Sequence, residues 1–142
     1  MGDAGTGKTN IIYCFTRDKI PNNIMPTIAV EFSSKLVTLD NRETIKTQIW
    51  DTAGQETYRS LTMRYSRSHL SYYRKMHGAI IVYDVAKRSS FEHVRYWLQN
   101  IREKGDPNVQ ICLLGHKTDQ TRREVQYEEG EQFAMKEHIL YA

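Results

Sequence analysis

A short stretch at the start of the chain limits both its fold and what it can bind. Residues 2–9 match the pattern G-x-x-x-x-G-K-[ST] at every position. Glycines in such a loop turn backbone N–H groups inward around phosphate oxygens, and a helix that begins at the lysine adds its positive end to the anion site. We therefore predict a phosphate-binding loop made of these residues: Gly2, Asp3, Ala4, Gly5, Thr6, Gly7, Lys8 and Thr9.

The last two residues of this loop have separate expected roles. Lys8 reaches the terminal phosphates as a point charge, and the hydroxyl of Thr9 binds Mg²⁺. The second metal ligand comes from residues 50–55, Trp-Asp-Thr-Ala-Gly-Gln, where a predicted strand ends in Asp51. A carboxylate at that point holds Mg²⁺ through water, Gly54 brings its N–H to a terminal phosphate, and Gln55 orients an attacking water as the catalytic residue.

The composition is ordinary for one soluble globular domain. The 142 residues are 39% hydrophobic and 26% charged, and the net charge of +3 is too small to argue for nucleic acid or a membrane surface. Cys14 and Cys112 lie far apart in apolar stretches, which predicts buried free thiols in a reducing compartment. The longest apolar run, residues 78–83, is too short to span a bilayer.

Hydrophobic periodicity predicts helices and strands that alternate along the chain. After a helix over 8–17 and a loop over 18–26, strands over 30–39 and 44–50 form a hairpin around Asp40-Asn41. Alternation with polar residues at strand ends predicts an α/β doubly wound fold. The remaining predicted elements are strands over 80–84, 109–115 and from 139, a helix capped by Ser89 or Ser90 that ends at Gly105, and a helix over 124–137.

A second polar motif follows the strand over 109–115 and reads His116-Lys117-Thr118-Asp119. The Asp119 carboxylate can accept two hydrogen bonds from a base that offers a ring N–H and an amino group. Guanine offers both groups and adenine does not. The motif therefore predicts that the bound nucleotide carries guanine.

These motifs together resemble those of the small GTPases of the Ras superfamily, and within them the Rab type. Rab-typical stretches also occur at residues 28–32, 48–50, 58–62, 72–74 and 81–84. The resemblance implies the P-loop NTPase small-GTPase fold, a mostly parallel sheet with helices on both faces, in a single G domain over residues 1–142 that lacks its first strand and last helix. It implies a switch in vesicle-mediated transport that binds GTP or GDP with Mg²⁺ and hydrolyses GTP slowly.

The resemblance also assigns residues that spacing alone does not. Thr27 would bind Mg²⁺ and the γ-phosphate, and His116 and Lys117 would join Asp119 at the guanine base. Effectors, exchange factors and activating proteins would bind the switch regions through an aromatic surface, for which the alternative is that Phe32 simply packs in the core. That surface consists of Phe32, Trp50 and either Tyr65 or Tyr72.

Several positions depart from the family pattern. His116 replaces an asparagine that contacts guanine, a loss worth roughly 1–3 kcal/mol, and Ile20 replaces a phenylalanine that packs on the base. Residues 65–71 lengthen the second switch region, either as a modified switch or as the product of a retained intron or altered reading frame. The alternatives to a working GTPase are therefore a catalytically defective binding module and a non-functional gene fragment.

The expected location is cytoplasmic, with no nucleic-acid partner. The sequence shows no cysteine placed for lipid attachment near its end. We therefore expect no membrane anchor in this chain, and residence on the cytosolic face of endomembranes only if a lipidated tail exists.

Overall fold

The computed structural model describes residues 1–19, 27, 31–52, 73 and 76–142. They divide into two compact units, one of Met1–Gly7 with Gly54–Ala142 and the other of Lys8–Ala53. Some predictions fall outside the described residues and stay predictions: the loop from Ile20 to Pro26, the roles of Gly54 and Gln55, the partner contacts of Tyr65 and Tyr72, and the insertion over 65–71.

The unit Lys8–Ala53 contains one helix and the predicted hairpin. Helix α1 spans Lys8–Arg17, and strands β1 (Glu31–Thr38) and β2 (Thr44–Asp51) pair antiparallel. The Asn41 side chain accepts a hydrogen bond from the Glu43 N–H at 3.0 Å, which closes the turn between the strands. Both strands and the helix were therefore predicted correctly to within one or two residues.

The other unit contains a parallel sheet in the order β3-β4-β5. Its strands β3 (Gly78–Asp84) and β4 (Gln110–His116) are in a register that sets Asp84 opposite His116, so both strands end at the same edge. The other elements are α2 (Arg88–Glu92), α3 (Val94–Lys104), α4 (Tyr127–Lys136) and β5 (Leu140–Tyr141). The single helix predicted to end at Gly105 is therefore two helices that are separated at His93.

The core of this unit lies on one face of the parallel sheet. Alternate residues of β3 and β4, among them Ile81, Tyr83 and Leu113, are fully buried and pack against side chains from α2, α3 and α4. The opposite face carries Ile80, which is 48% exposed, and Val82, which is buried but lies outside this core cluster. Among the described helices of this unit, all three thus cover the same face, whereas helices on both faces were predicted for the domain as a whole.

Three local predictions differ from the structure. The helix predicted to start at Ser89 or Ser90 starts at Arg88, and the Ser90 hydroxyl instead accepts a hydrogen bond from the Asp84 N–H at 3.0 Å. The last helix begins later, because the Gln126 N–H donates to the Glu129 carboxylate at 2.9 Å and sets the first turn there. Both cysteines are free, as predicted, but they are half-buried rather than buried.

Candidate nucleotide and magnesium site

The predicted phosphate loop, residues 2–7, packs tightly against β3 and the end of β4. Gly2 has φ of 132°, and a Cβ there would lie 2.1 Å from the Val82 carbonyl oxygen. Gly7 has φ of 95°, and its Cβ would lie 2.2 Å from Nδ1 of His116. No other residue fits these two positions, because both the backbone conformation and the space exclude a side chain. Ala4 and Gly5, at the tip of the loop, are exposed to solvent and to a ligand.

His116 contacts the loop directly. Its Nδ1 lies 2.9 Å from the Thr6 carbonyl oxygen, which can only accept, so Nδ1 carries the proton and donates. Thr6 is 1% exposed, and its hydroxyl donates to the Asp3 carbonyl at 3.0 Å. The histidine therefore braces the phosphate loop, from the position where the family resemblance expects asparagine.

The residues after His116 form a turn that presents Asp119. The Gln120 N–H donates to the Lys117 carbonyl at 3.0 Å, and Lys117 itself has φ of 64°. Asp119 lies at the exposed tip of this turn, where its carboxylate is accessible to a ligand. The structure thus joins the segment predicted to read the base to the phosphate loop through His116.

Lys117 makes a contact that the sequence did not predict. Its ammonium lies 2.7 Å from the Asp84 carboxylate, which is the residue paired with His116 across the β3–β4 register. Asp84 also accepts a hydrogen bond from the Ala86 N–H at 2.9 Å. The ion pair fixes the start of the turn that carries Asp119.

The three predicted magnesium ligands converge in the unit Lys8–Ala53. The Thr9 hydroxyl lies 2.6 Å from the Asp51 carboxylate and 2.6 Å from the Thr27 hydroxyl. Because a carboxylate only accepts, Thr9 donates to Asp51, and Thr27 donates to Thr9. These residues are brought together from the first turn of α1, from position 27 and from the end of β2.

Asp51 has the properties of a ligand that needs a cation. It is 3% exposed, and its Oδ1 atom is buried without a hydrogen-bond partner among the described residues. A buried, unpaired carboxylate oxygen is costly, and a hard cation such as Mg²⁺ satisfies it with oxygen ligands. Within the described part of the chain no three or more His, Cys, Asp or Glu side chains are grouped so that they could hold a metal ion. The candidate ligand set here is one carboxylate with two hydroxyls.

Two of the aromatic side chains predicted to face partners, Phe32 and Trp50, are exposed. Phe32 and Trp50 lie opposite each other on β1 and β2, with ring centroids 5.1 Å apart and exposed fractions of 50% and 53%. The alternative that Phe32 belongs to the core is therefore wrong. The half-buried residues of β1 are on its other face, where Ser33, Lys35 and Val37 lie.

One contact of the phosphate loop was missed altogether. The Asp3 carboxylate lies 2.6 Å from Nδ1 of His93 and accepts from Nε1 of Trp97 at 2.9 Å. The sequence carried a usable signal, since His93 and Trp97 are separated by one helical turn and both can donate. Nothing local, however, linked that helix face to residue 3.

A phosphate-loop motif with two glycines that the backbone requires, followed by a helix, is typical of P-loop proteins, as are polar residues at the ends of parallel strands. The model of the Ras family matches residues 1–142. The chain therefore belongs to the Ras family, and its relatives support the Rab type within it. It is 44% identical to the GTP-binding protein ypt3 of Schizosaccharomyces pombe and 42% identical to the Ras-related protein RABA4c of Arabidopsis thaliana, each alignment covering 99% of this chain.

The predicted family and α/β fold are confirmed by these matches. The chain spans 63% of the length of ypt3 and 60% of that of RABA4c. No helix in the described ranges is long and apolar enough to cross a membrane.

Proposed function

We propose that this chain is a Rab-type GTPase, a switch in vesicle-mediated transport that binds GTP or GDP with Mg²⁺ and hydrolyses GTP slowly. The observation that carries the proposal is the chain of hydrogen bonds from Thr27 through Thr9 to Oδ2 of Asp51, whose other oxygen, Oδ1, is buried without a hydrogen-bond partner among the described residues. We also infer that residues 1–142 constitute one G domain, since a single family model matches all of them.

Each group of residues has a role in holding the nucleotide. The backbone N–H groups of the loop 2–7 and the Lys8 ammonium bind phosphate oxygens. Thr9, Thr27 and Asp51 would hold Mg²⁺, which would neutralise phosphate charge. Asp119 accepts hydrogen bonds from guanine, while His116 and Lys117 keep the segment that carries it in place.

Hydrolysis depends on residues outside the described part of the chain. Gln55 would orient the attacking water and Gly54 would donate its N–H to the γ-phosphate. An arginine from an activating partner accelerates such reactions by roughly 10³ to 10⁵. We expect the unassisted rate of this chain to be correspondingly slow.

Partner proteins are proposed to bind the exposed Phe32–Trp50 pair, together with Tyr65 or Tyr72. Paired aromatic rings at the surface supply the apolar contact area typical of interface anchors. The proposed location is the cytoplasm, and the cytosolic face of endomembranes only if a lipidated tail exists.

The test is a titration of fluorescently labelled GDP with and without Mg²⁺. We expect saturable binding that Mg²⁺ strengthens, and weaker binding with little Mg²⁺ dependence for Thr9→Ala. Thr38→Ala is the matched control, because it removes the same hydroxyl from an exposed position of β1. Absence of saturable binding by the unchanged chain below about millimolar GDP would overturn the proposal.

The same exposed aromatic pair favours a second candidate, a binding module without catalysis. Pulldown by a partner in the absence of nucleotide would support that function. A pulldown that requires a GTP analogue would exclude it and support the switch.

A further inference from the structure

The second residue of the phosphate loop is a buried carboxylate. Asp3 is 4% exposed, although the loop that contains it is shaped for anions. Its charge would oppose phosphate binding if it were free to turn toward the ligand. The structure instead holds it against the amino end of α3, which begins directly after His93.

Two side chains of one helix face donate to this carboxylate. Nδ1 of His93 lies 2.6 Å from Oδ2 of Asp3, and Nε1 of Trp97 lies 2.9 Å from Oδ1. The positive end of α3 also favours a negative charge at this point. Each carboxylate oxygen therefore has its own donor, and the side chain of Asp3 is fixed in one orientation.

Fixing Asp3 fixes the rest of the loop. The Asp3 carbonyl accepts from the Thr6 hydroxyl at 3.0 Å and from the Thr6 N–H at 3.4 Å. The Thr6 carbonyl in turn accepts from His116 at 2.9 Å. The loop is thus attached to α3 at one end and to the end of β4 at the other, so its N–H groups are ordered before a ligand arrives.

We propose that His93 and Trp97 are positioning residues for phosphate binding, acting through Asp3. This inference rests on the proposed nucleotide-binding function. Neither side chain needs to touch the nucleotide. Together they keep a negative charge out of the phosphate site and hold the loop in the conformation that accepts phosphate oxygens, as preorganised sites require.

The main test compares GDP with GMP in His93→Leu. The His93 side chain is 43% exposed, so leucine removes the donor with little change to the core. We expect GDP affinity to fall about tenfold, the loss of one hydrogen bond to a charged group, and GMP affinity to fall less, because GMP carries one phosphate instead of two. A variant that merely lowered the folded fraction would weaken both ligands equally.

Two further variants separate the donor from the side-chain shape. His93→Asn keeps a nitrogen donor on Cγ, where Nδ1 of histidine is attached, and should restore the GDP-to-GMP ratio. Trp97→Phe removes the indole N–H and keeps an aromatic ring, and should lower the ratio as His93→Leu does. Tyr127→Phe, which removes one polar atom from a half-exposed ring of α4, should leave it unchanged.

Amide hydrogen exchange of residues 2–7 in the nucleotide-free chain gives a readout independent of ligand. We expect exchange about tenfold faster in His93→Leu and unchanged in His93→Asn. If the ratio and the exchange of His93→Leu both equal those of the unchanged chain, the inference is overturned and the proposed function stands. If the unchanged chain binds no GDP, the proposed function fails, and the exchange result alone decides whether α3 orders the loop.

Discussion

Substitutions of His116 separate two roles of this residue: its hydrogen bond to the phosphate loop and its proposed position at the guanine base. In His116→Ala the Thr6 carbonyl loses its donor. Such a neutral hydrogen bond contributes about 1 kcal/mol, and a buried carbonyl left unsatisfied costs about 1–3 kcal/mol. Because Thr6 is 1% exposed, water cannot easily replace the histidine. We expect the free energy of unfolding to fall by about 2 kcal/mol, which lowers Tm by roughly 8 °C for a domain of this size.

His116→Asn tests the other role. The asparagine amide nitrogen is bonded to Cγ, as Nδ1 of histidine is, so it can donate to the Thr6 carbonyl and leave stability within about 0.5 kcal/mol. It would also restore the guanine contact that the family resemblance assigns to asparagine. A contact worth about 1.4 kcal/mol or more strengthens GDP binding at least tenfold.

The assay is thermal unfolding of the nucleotide-free chain together with a labelled-GDP titration of all three proteins. The reasoning is refuted if His116→Ala melts at the same temperature as the unchanged chain, since the brace would then contribute nothing. The expected guanine contact of asparagine at position 116 is refuted if His116→Asn binds GDP no more tightly than the unchanged chain does.

Three further predictions concern separate parts of the structure. Asp51→Asn keeps an acceptor for Thr9 but loses the charge, so chelation of Mg²⁺ should no longer accelerate GDP release, as followed by fluorescence. Trp50→Ala removes an exposed ring, so pulldown of partner proteins should fall more than tenfold while Tm changes by less than about 2 °C. Burial and the hydrogen bond between the Tyr83 and Tyr141 hydroxyls raise the pKa of Tyr83 well above its usual range. The unfolded chain therefore releases this proton first, and stability should decline as pH rises above about 10; Tyr83→Phe should lessen that slope in alkaline denaturation.

Each of these three has a result that would contradict it. Persistent chelator-accelerated release in Asp51→Asn would show that Asp51 does not hold the metal. Unchanged pulldown by Trp50→Ala would move the partner surface elsewhere. An identical alkaline slope in Tyr83→Phe would assign the high-pH instability to other groups.

The elements were predictable because their signals are local. The hairpin follows from alternation on either side of Asp40-Asn41, and α1 from the spacing of apolar residues after the phosphate loop. The proposed magnesium ligands were identified for a different reason. Thr9 and Asp51 stand in motifs with a defined chemistry, and Thr27 was assigned by family resemblance.

The contacts that could not be predicted join residues that are distant in sequence. They depend on the register of the sheet and on the packing of α3, neither of which the sequence shows locally. Asp84 faces His116 only because β3 and β4 pair in that register, and the ion pair from Lys117 to Asp84 follows from it. The role of Ser90 was misjudged for a similar reason. Its hydroxyl is a reasonable helix cap by type, but the fold gives it a buried backbone partner at Asp84.

The hydrogen bonds between Asp3 and α3 have a consequence for chimeric proteins and for substitutions that accumulate in evolution. A chimera that receives residues 2–7 from another family member inherits whatever side chain stands second in that segment. In the chimera, that side chain lies against the helix with His93 and Trp97, whose two N–H groups donate to a carboxylate in the unchanged chain. Substitutions at position 3 should therefore be accompanied by substitutions at positions 93 and 97. A chimera that takes residues 2–7 together with positions 93 and 97 from the same donor should keep the loop conformation, whereas a chimera that takes residues 2–7 alone should lose it.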